Sequence, residues 1–430
     1  MDQLEARRIL EMALDGCASD DVVLTISGSA VASTRFANNA ITQNVSKADC
    51  RITIQAAFGQ QVGAAQTNDL SPESIREAVA RAEEIATHAA TDNEHMPPIE
   101  PTAVPDVQSW DAAVADASPE TRAAGIRDAV ELARQHGLNS AGSFTTGSDF
   151  TAILNTRGHF AYHQRSNARF ACTVMTADSS GWAANASHVL GRVNPHNVAE
   201  KAVTRALAAR NPKAIDARPT TVLLEPAAFG ELLAYLAWSL DAKAADEGRS
   251  PFTNRLGTRV AVPGLHLSSA PSDPVCPGEP FDGEGVPSPD VSWIEDGILR
   301  NLAHTRYWAS HYGRAYTGRP TNLLVAGSDR SIEDMISETE DAILVTRFWY
   351  IRHVDPMTLL LTGMTRDGLY QVKDGRIVHG VKHMRFNESP IRLLDHITAI
   401  GRSEPAYGYA RAFVPPVRAD DFHFTSGTVF

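Results

Sequence analysis

The sequence predicts an α+β protein: an antiparallel-sheet N-terminal domain with flanking helices, followed by a mixed α/β C-terminal domain built around a strand and a long central helix. Two runs, 21–67 and 141–187, alternate polar and apolar residues at the period of half-buried strands. A β-branched apolar run at 220–224 then leads into apolar residues at helical spacing over 225–245. With 430 residues and 43% hydrophobic content, the chain can bury the cores of two or three such units.

The first domain is predicted to contain a short amphipathic helix, three or four antiparallel strands and a second helix. Phe58-Gly59-Gln60 is typical of a hairpin turn between two of these strands. Ser71-Pro72-Glu73 and Ser118-Pro119-Glu120 each supply an N-cap, a proline at the first helical position and an acid in the first turn. We therefore expect helices that run to about residue 90 and to Gly137.

A proline-rich connector at about 95–110 is predicted to have no regular structure. The second strand run contains a turn at Asn155-Thr156-Arg157-Gly158, and a helix is expected over 197–209. We place the domain boundary in the linker that follows, which gives domains 1–215 and 216–430.

The C-terminal domain begins with the strand at 220–224 and the helix predicted over 225–245, which Gly248 and Gly257 end. A long loop at 262–290 contains seven prolines and four glycines. Since long loops in compact domains are more often functional than accidental, this loop is a candidate site.

Composition limits the possible partners and location. The chain has 39 basic and 51 acidic residues, so its formal charge of -12 would repel a phosphate backbone, and no nucleic acid partner is expected. The acidic N-terminus does not resemble a signal peptide, and no apolar run is long enough to span a bilayer. Four cysteines without metal-site or redox spacing fit reduced thiols and a cytoplasmic protein.

Two pairs of histidines have spacings that could suggest a metal. His379 and His383 are expected on one strand, where residues four apart are ~13 Å apart and cannot share an ion. His304 and His311 are expected two helical turns apart on one face, but no acid or cysteine accompanies them. Neither pair is predicted to bind metal.

A specific resemblance begins at residue 281. The run FDGEGVPSPDVSWIEDGILRNLAHTRYWA, residues 281–309, is similar to a segment of the TldD/PmbA (modulator of DNA gyrase) family: an aspartate, Glu-Gly-Val-Pro, a hairpin and a helix. The Gln-Thr-Asn and Leu-Ser run at 66–71 also resembles that family. The resemblance covers nearly the whole chain and is strongest over 281–401.

The catalytic branch of this family carries a His-Glu-x-x-x-His motif directly after a Leu-Leu pair in its central helix. In this chain Leu232-Leu233 is followed by Ala234-Tyr235-Leu236-Ala237-Trp238-Ser239. No histidine lies between His196 and His266, and the last cysteine is Cys276, whereas the family's remaining ligand is a cysteine near the C-terminus. The resemblance therefore implies a TldE/PmbA-type subunit with no catalytic or metal residues, whose degenerate motif positions are Ala234, Tyr235, Trp238 and Ser239.

Two interpretations of Tyr235 and Trp238 remain open. They could be core residues, or their bulk could fill the space that a metal and its water occupy in the catalytic branch. Asp282 and Glu284 likewise could bind a metal or a peptide amine, or could fix a tight turn by hydrogen bonds to the backbone. With Asn322, these two acids are the expected contacts to a peptide or a partner.

The function implied by the resemblance is that of a non-catalytic subunit in a heteromeric metallopeptidase. It would pair with a related subunit bearing His-Glu-x-x-x-His, complete a chamber and bind unfolded peptide, while zinc is expected only in the catalytic partner. No phosphate-binding loop, nucleophile elbow or His-Glu-x-x-His appears in the chain. The alternatives are a stand-alone peptide-binding homodimer and an independent hydrolase with a different site near 262–290.

Overall fold

The computed structural model describes residues 1–406, 408 and 411–428 of the chain. Over these residues the fold is α+β, as the sequence predicts, with ten α-helices, a 3-10 turn at Leu190–Arg192 and strands in three sheets. The helices are α1 (Gln3–Leu14), α2 (Pro72–His88), α3 (Ala112–Ala115), α4 (Pro119–Gln135), α5 (Pro195–Ala208), α6 (Pro226–Trp238), α7 (Ala242–Asp246), α8 (Arg306–His311), α9 (Ile332–Ser337) and α10 (Pro390–Asp395). The strands are β1 (Asp21–Ala37), β2 (Ala40–Phe58), β3 (Gln61–Thr67), β4 (Asn139–Asn155), β5 (Phe160–Met175), β6 (Ser180–Ser187), β7 (Pro219–Leu224), β8 (Leu267–Ser269), β9 (Val291–Glu295), β10 (Ile298–Leu299), β11 (Leu323–Val325), β12 (Asp341–Val345), β13 (Phe348–Asp355), β14 (Leu360–Thr365), β15 (Leu369–Lys373), β16 (Arg376–Gly380), β17 (Met384–Glu388), β18 (Ile397–Ile400), β19 (Glu404–Ala406), β20 (Ala412–Val414) and β21 (Val417–Gly427).

The first sheet has six antiparallel strands in the order β3-β2-β1-β4-β5-β6, built from the two alternating runs. Two helix pairs, α1/α2 and α4/α5, cover one of its faces and form separate apolar cores with it. The N-caps predicted at Ser71 and Ser118 are confirmed, because their hydroxyls accept the N–H groups of Ser74 and Thr121. The other face of the sheet points toward the C-terminal half of the chain.

Strand β2 is only partly covered by its outer neighbour. β3 pairs with Ile52–Phe58, and in the part of the chain that the structure describes no strand pairs with 40–51 on that side. Side chains from Ala40 to Asp49 are exposed, including Ile41 and Val45. This half of β2 is an open sheet edge.

The C-terminal half contains the other two sheets. One has nine strands in the order β13-β14-β17-β21-β7-β12-β15-β16, with β18 also paired to β21, and the other has the order β10-β9-β8-β11-β20-β19. Helix α6 contacts strands of both sheets and buries Phe229, Leu232 and Leu236 in the largest core of the molecule, with Trp293 and Phe252. The sequence prediction of a strand feeding a central helix is confirmed, since β7 lies in the middle of its sheet and precedes α6 directly.

The prediction of a single long central helix is wrong. Helix α6 ends at Trp238, and a short break separates it from α7. In the break the Leu240 carbonyl accepts the N–H of Ala303 at 2.6 Å, and the Asp241 carboxylate accepts the N–H of Ala244 at 2.8 Å. Asp241 is therefore the N-cap of a new helix, although the apolar spacing of the sequence continues through the break.

The two histidine pairs are also placed differently from the prediction. His304 lies before α8, whose N-cap is Thr305, so His304 and His311 do not share a helix. His379 lies on β16 as expected, but His383 follows that strand in the connection to β17. No group of three or more potential metal ligands occurs among the described residues.

The proline-rich connector has no regular structure from residue 95 to 110, as predicted. Arg306 fixes its start to the C-terminal half by donating to the carbonyls of Pro97 at 2.7 Å and Met96 at 3.2 Å. Within the described residues, no helix is both long and apolar enough to cross a bilayer.

Candidate functional site

A cavity of about 770 Å³ lies between the first sheet and the C-terminal half. The first sheet contributes Thr25, Thr151 and His163 to its wall, and α6 and parts of 279–288 and 316–323 line the opposite side. The structure brings five of the residues singled out in the sequence to this cavity: Ala234, Trp238, Asp282, Glu284 and Asn322.

Helix α6 presents Ala234, Ala237 and Trp238 to the cavity, since residues three and four apart share a helix face. Trp238 is 58% exposed, so the interpretation of this residue as part of the core is wrong. Its indole instead forms part of the cavity wall. The two neighbouring alanines add only methyl groups, so this part of the wall is apolar.

Tyr235 lies on another face of α6 and is buried, so the core interpretation of this residue is confirmed. Its hydroxyl donates to the Ile351 carbonyl at 2.8 Å, and its ring packs edge-on against Trp238 and His353. Ser239 donates to the Tyr235 carbonyl at 2.9 Å in the last turn of the helix. The four degenerate motif positions thus separate, and only Ala234 and Trp238 line the cavity.

Asp282 fixes a tight turn, which is one of the two roles that the sequence left open for it. Its Oδ1 accepts the N–H groups of Glu284 at 2.9 Å and Val286 at 3.0 Å. Its Oδ2 accepts the hydroxyl of Tyr316 at 2.7 Å. Burial and the adjacent Asp282 carboxylate raise the pKa of Tyr316, so the phenol remains a hydrogen-bond donor at neutral pH. The bonds from Asp282 give this part of the cavity wall a defined shape.

Glu284 lies two residues further on and forms an ion pair with Arg306 at 2.6 Å. Burial raises the pKa of Glu284, and Arg306 opposes this effect. The side chain is 45% exposed and borders both the main cavity and an adjacent one of about 350 Å³.

The side chain of Asn322 forms hydrogen bonds to the loop behind the cavity wall. Its Nδ2 donates to the carbonyls of Ala270 at 2.8 Å and Cys276 at 2.6 Å, and its Oδ1 accepts the N–H of Ala270 at 3.0 Å. The residue is 2% exposed. Asn322 therefore shapes the wall by fastening the 262–290 loop and does not present a free amide to a ligand.

A charged cluster that sequence reasoning missed crosses the cavity wall. Arg165 on β5 pairs with Asp149 at 2.6 Å and with Glu279, and Arg411 pairs with the same Glu279 at 2.5 Å. The cluster ties the first sheet to the 262–290 loop and to the residue before β20. Its members are far apart in the chain, and no local pattern connects them, so only the tertiary structure reveals the cluster.

His163 lies next to this cluster, with its Nε2 3.2 Å from the Ser109 hydroxyl. Burial, and then the charge of Arg165, lower the pKa of His163 to about 4. The imidazole is therefore neutral at pH 7 and adds a polar but uncharged group to the wall.

The donor set at α6 does not fit a zinc ion. Zinc requires three or four nitrogen, sulfur or oxygen donors that converge at about 2.0–2.3 Å. The helix presents two alanines and a tryptophan at the cavity, and throughout 1–406, 408 and 411–428 no three or more His, Cys, Asp or Glu side chains are grouped to hold a metal. The charged groups of the wall are used in ion pairs with arginines instead.

Comparisons with known proteins agree on one family. The models of the PmbA/TldA metallopeptidase domain 1, central domain and C-terminal domain match residues 24–86, 68–210 and 217–426. A metalloprotease PmbA homolog of Haemophilus influenzae is 26% identical over 285 residues, which is 63% of this chain and 62% of that protein. Metalloprotease PmbA of Escherichia coli O157:H7 is 22% identical over 359 residues, covering 78% of each chain.

Solved structures show the same fold at low sequence identity. TldE from Thermococcus kodakarensis superposes with a TM-score of 0.88 at 17% identity, covering 98% of this chain and 99% of that one. A putative modulator of a DNA gyrase from Thermotoga maritima gives a TM-score of 0.86 at 19% identity, covering 97% and 99%. Taken with the three domain models, these matches show that the chain belongs to the PmbA/TldD metallopeptidase family.

Proposed function

We propose that this chain is the non-catalytic subunit of a heteromeric TldD/TldE-type metallopeptidase that degrades or matures unfolded peptides. The observation that carries the proposal is the face of α6 at the cavity, which consists of Ala234, Ala237 and Trp238. The family is one of metallopeptidases, but the cavity-facing side of the central helix in this chain has no metal-binding or proton-transferring side chain. In this proposal the chain completes the chamber, and a partner with His-Glu-x-x-x-His performs zinc-dependent hydrolysis.

Two features of the structure support a peptide as the ligand. A cavity of about 770 Å³ is within the usual range of ligand sites and is large enough for a few residues of extended chain. Among the described residues, the open edge of β2 at 40–51 has no strand paired to it, and an extended peptide can add to such an edge as a further strand. Backbone pairing is independent of side chains, which suits a subunit that handles varied unfolded sequences.

The proposed complex is cytoplasmic. The four cysteines are free thiols, and burial raises the pKa of Cys172 and Cys276 to about 12, so these two thiols are unreactive. Unfolded peptides are also abundant products of protein turnover in that compartment. The proposal includes no nucleic acid, since the chain has a formal charge of -12.

A mixing assay tests the proposed role. The isolated chain is expected to show no chelator-sensitive hydrolysis of an unstructured fluorogenic peptide. Activity is expected when the chain is mixed with a homologue that has the intact His-Glu-x-x-x-His, and a chelator should abolish it. Replacing the motif glutamate of that homologue by glutamine should also abolish it, because the metal-bound water then lacks its base.

The control on this chain is the double variant Ala234→His with Tyr235→Glu. It should not create activity in isolation, because residue 235 lies on a face of α6 that packs against Ile351 and not at the cavity. Chelator-resistant hydrolysis by the isolated wild-type chain would contradict the proposal and favour the alternative, an independent hydrolase with a different site. Tight peptide binding together with failure to co-purify with a catalytic homologue would favour the stand-alone homodimer.

A further inference from the structure

A second pocket, of about 300 Å³, lies beside α6 and the edge strand β13. The side chains that define it are Arg169, Trp182, Glu231, Tyr235, Arg347 and Arg352, and we call it the arginine pocket. It is separate from the main cavity, since Glu231 and Tyr235 line it while Ala234 and Ala237 line the main cavity.

The charge of the arginine pocket is opposite to that of the whole chain. Three arginines and the carboxyl group of Glu231 line it, and Asp367 outside the lining pairs with Arg347, whereas the chain carries a formal charge of -12. Burial raises the pKa of Glu231 to about 7, although Arg347 and a backbone hydrogen bond from Phe348 oppose this shift. At neutral pH this carboxyl is therefore partly protonated and only partly offsets the arginines, so the pocket attracts anions.

Arg347 lines this pocket and has one unused donor. Its guanidinium stacks 4.5 Å from the ring centroid of Trp182 and pairs with Asp367. Its Nε–H is buried and has no hydrogen-bond acceptor among the residues that the structure describes. A buried N–H without an acceptor is unfavourable, so an added acceptor next to this guanidinium would be stabilising.

Arg352 is exposed and preorganised by its neighbours. It stacks 4.3 Å from the ring centroid of Tyr350 and donates one N–H to the Ile351 carbonyl at 2.8 Å. A guanidinium has five N–H donors in a planar fork that matches a carboxylate, and stacking lowers the conformational freedom lost on binding. Trp182 and the exposed Trp349 add apolar surface next to this fork.

We propose that the arginine pocket binds the carboxylate of an extended peptide, with Arg347 and Arg352 as the donors and the aromatic side chains as an apolar wall. This proposal rests on the proposed function in that it takes a peptide as the ligand. A peptide can supply the carboxylate from its C-terminus or from an acidic side chain. The site would hold one such group at a fixed distance from the main cavity and so limit how the peptide lies on the subunit.

Binding to the isolated chain tests the proposal by calorimetry with three probes: acetyl-Gly-Ala-Phe with a free carboxylate, its C-terminal amide, and acetyl-Gly-Asp-Phe amide. Arg352→Gln should weaken binding of a carboxylate probe about tenfold, the value of one charge-assisted hydrogen bond. Arg347→Gln should have a similar effect, and Arg385→Gln, an exposed arginine of β17 outside the pocket, should have none. Circular dichroism establishes that each variant is folded.

The outcomes separate the possible sources of the carboxylate. Arginine-dependent binding of the free acid alone assigns the site to a peptide C-terminus, and arginine-dependent binding of the aspartate probe assigns it to an acidic side chain. Equal affinity for acid and amide probes, no measurable binding of any probe, or affinities unchanged by Arg352→Gln and Arg347→Gln would overturn the proposal. Because the catalytic partner is absent from this experiment, its failure would leave the mixing assay unaffected.

Discussion

At the scale of single residues, a buried ion pair joins the two halves of the molecule. Arg205 of α5 pairs with Glu225, which lies between β7 and α6, and both side chains are about 10% exposed. Arg205 also donates to the Trp182 carbonyl at 2.5 Å, and its own carbonyl accepts the hydroxyl of Tyr370 at 2.9 Å. Because the pair is buried, water could not take the place of one partner if that partner were removed.

Glu225→Gln should therefore lower the free energy of unfolding by about 3 kcal/mol, since it leaves the buried Arg205 charge without compensation. Urea denaturation followed by circular dichroism measures the change. Glu247→Gln removes the partner of Arg249 in an exposed pair and should leave the same free energy almost unchanged. Equal effects of the two substitutions would contradict the structural role of the buried pair.

Glu231 gives a prediction about pH. Its pKa rises from the ordinary 4.5 to about 7 in the folded state, mainly because of burial. The unfolded state then loses this proton at lower pH than the folded state, so Glu231 lowers stability progressively as pH rises from about 4.5 to 7. Below this window it has no effect, and above it the penalty is constant.

Glu231→Gln should accordingly match the wild type near pH 4 and be more stable by about 2 to 3 kcal/mol at pH 8. Urea unfolding at a series of pH values measures the difference. Glu77→Gln on the exposed surface of α2 is the control and should not reproduce this gain in stability. A constant difference for Glu231→Gln would show that the carboxyl titrates normally.

At the scale of elements, the sequence predicts what local chemistry determines. The Ser-Pro-Glu starts of α2 and α4 were predictable because N-cap and proline act within one turn. The break between α6 and α7 was missed because the bond from Ala303 to Leu240 comes from a distant part of the chain. Asp241 was the available signal, since aspartate favours an N-cap over a helix interior.

The candidate site was predictable to a similar extent. Asp282, Glu284, Ala234 and Trp238 were selected from a family pattern, and the structure places all four at one cavity. The cluster around Glu279 and the arginine pocket depend on which strands and loops become neighbours. Their spacing in the chain carries no information about that arrangement.

The turn at Asp282 is an element that can be tested directly. Asp282→Ala removes the acceptor for two backbone N–H groups and the Tyr316 hydroxyl, so hydrogen exchange of Glu284 and Val286 should accelerate at least about tenfold. Asp290→Ala in the same loop is the control and should leave these amides unchanged. Unaltered protection in Asp282→Ala would show that the Asp282 carboxylate does not hold this turn.

At the scale of the whole molecule, the structure predicts metal content. The chain purified from zinc-supplemented cells should contain far less than one zinc per chain by elemental analysis, because α6 presents alanines and a tryptophan at the cavity. A catalytic homologue purified in the same way is the control and should retain its metal. About one tightly held zinc per chain would contradict the proposed role as a non-catalytic subunit.

The open edge of β2 also has a consequence for the behaviour of the protein in concentrated solution. Twelve residues, 40–51, extend over about 40 Å with no outer strand paired to them in the part of the chain that the structure describes, and such an edge can template association between identical chains. Lys47, Asp49 and Arg51, all exposed, are the charges of this segment, and they oppose stacking of one edge on another. Their replacement by apolar residues would leave every folded contact of the core intact and still convert a dispersed protein into one that aggregates.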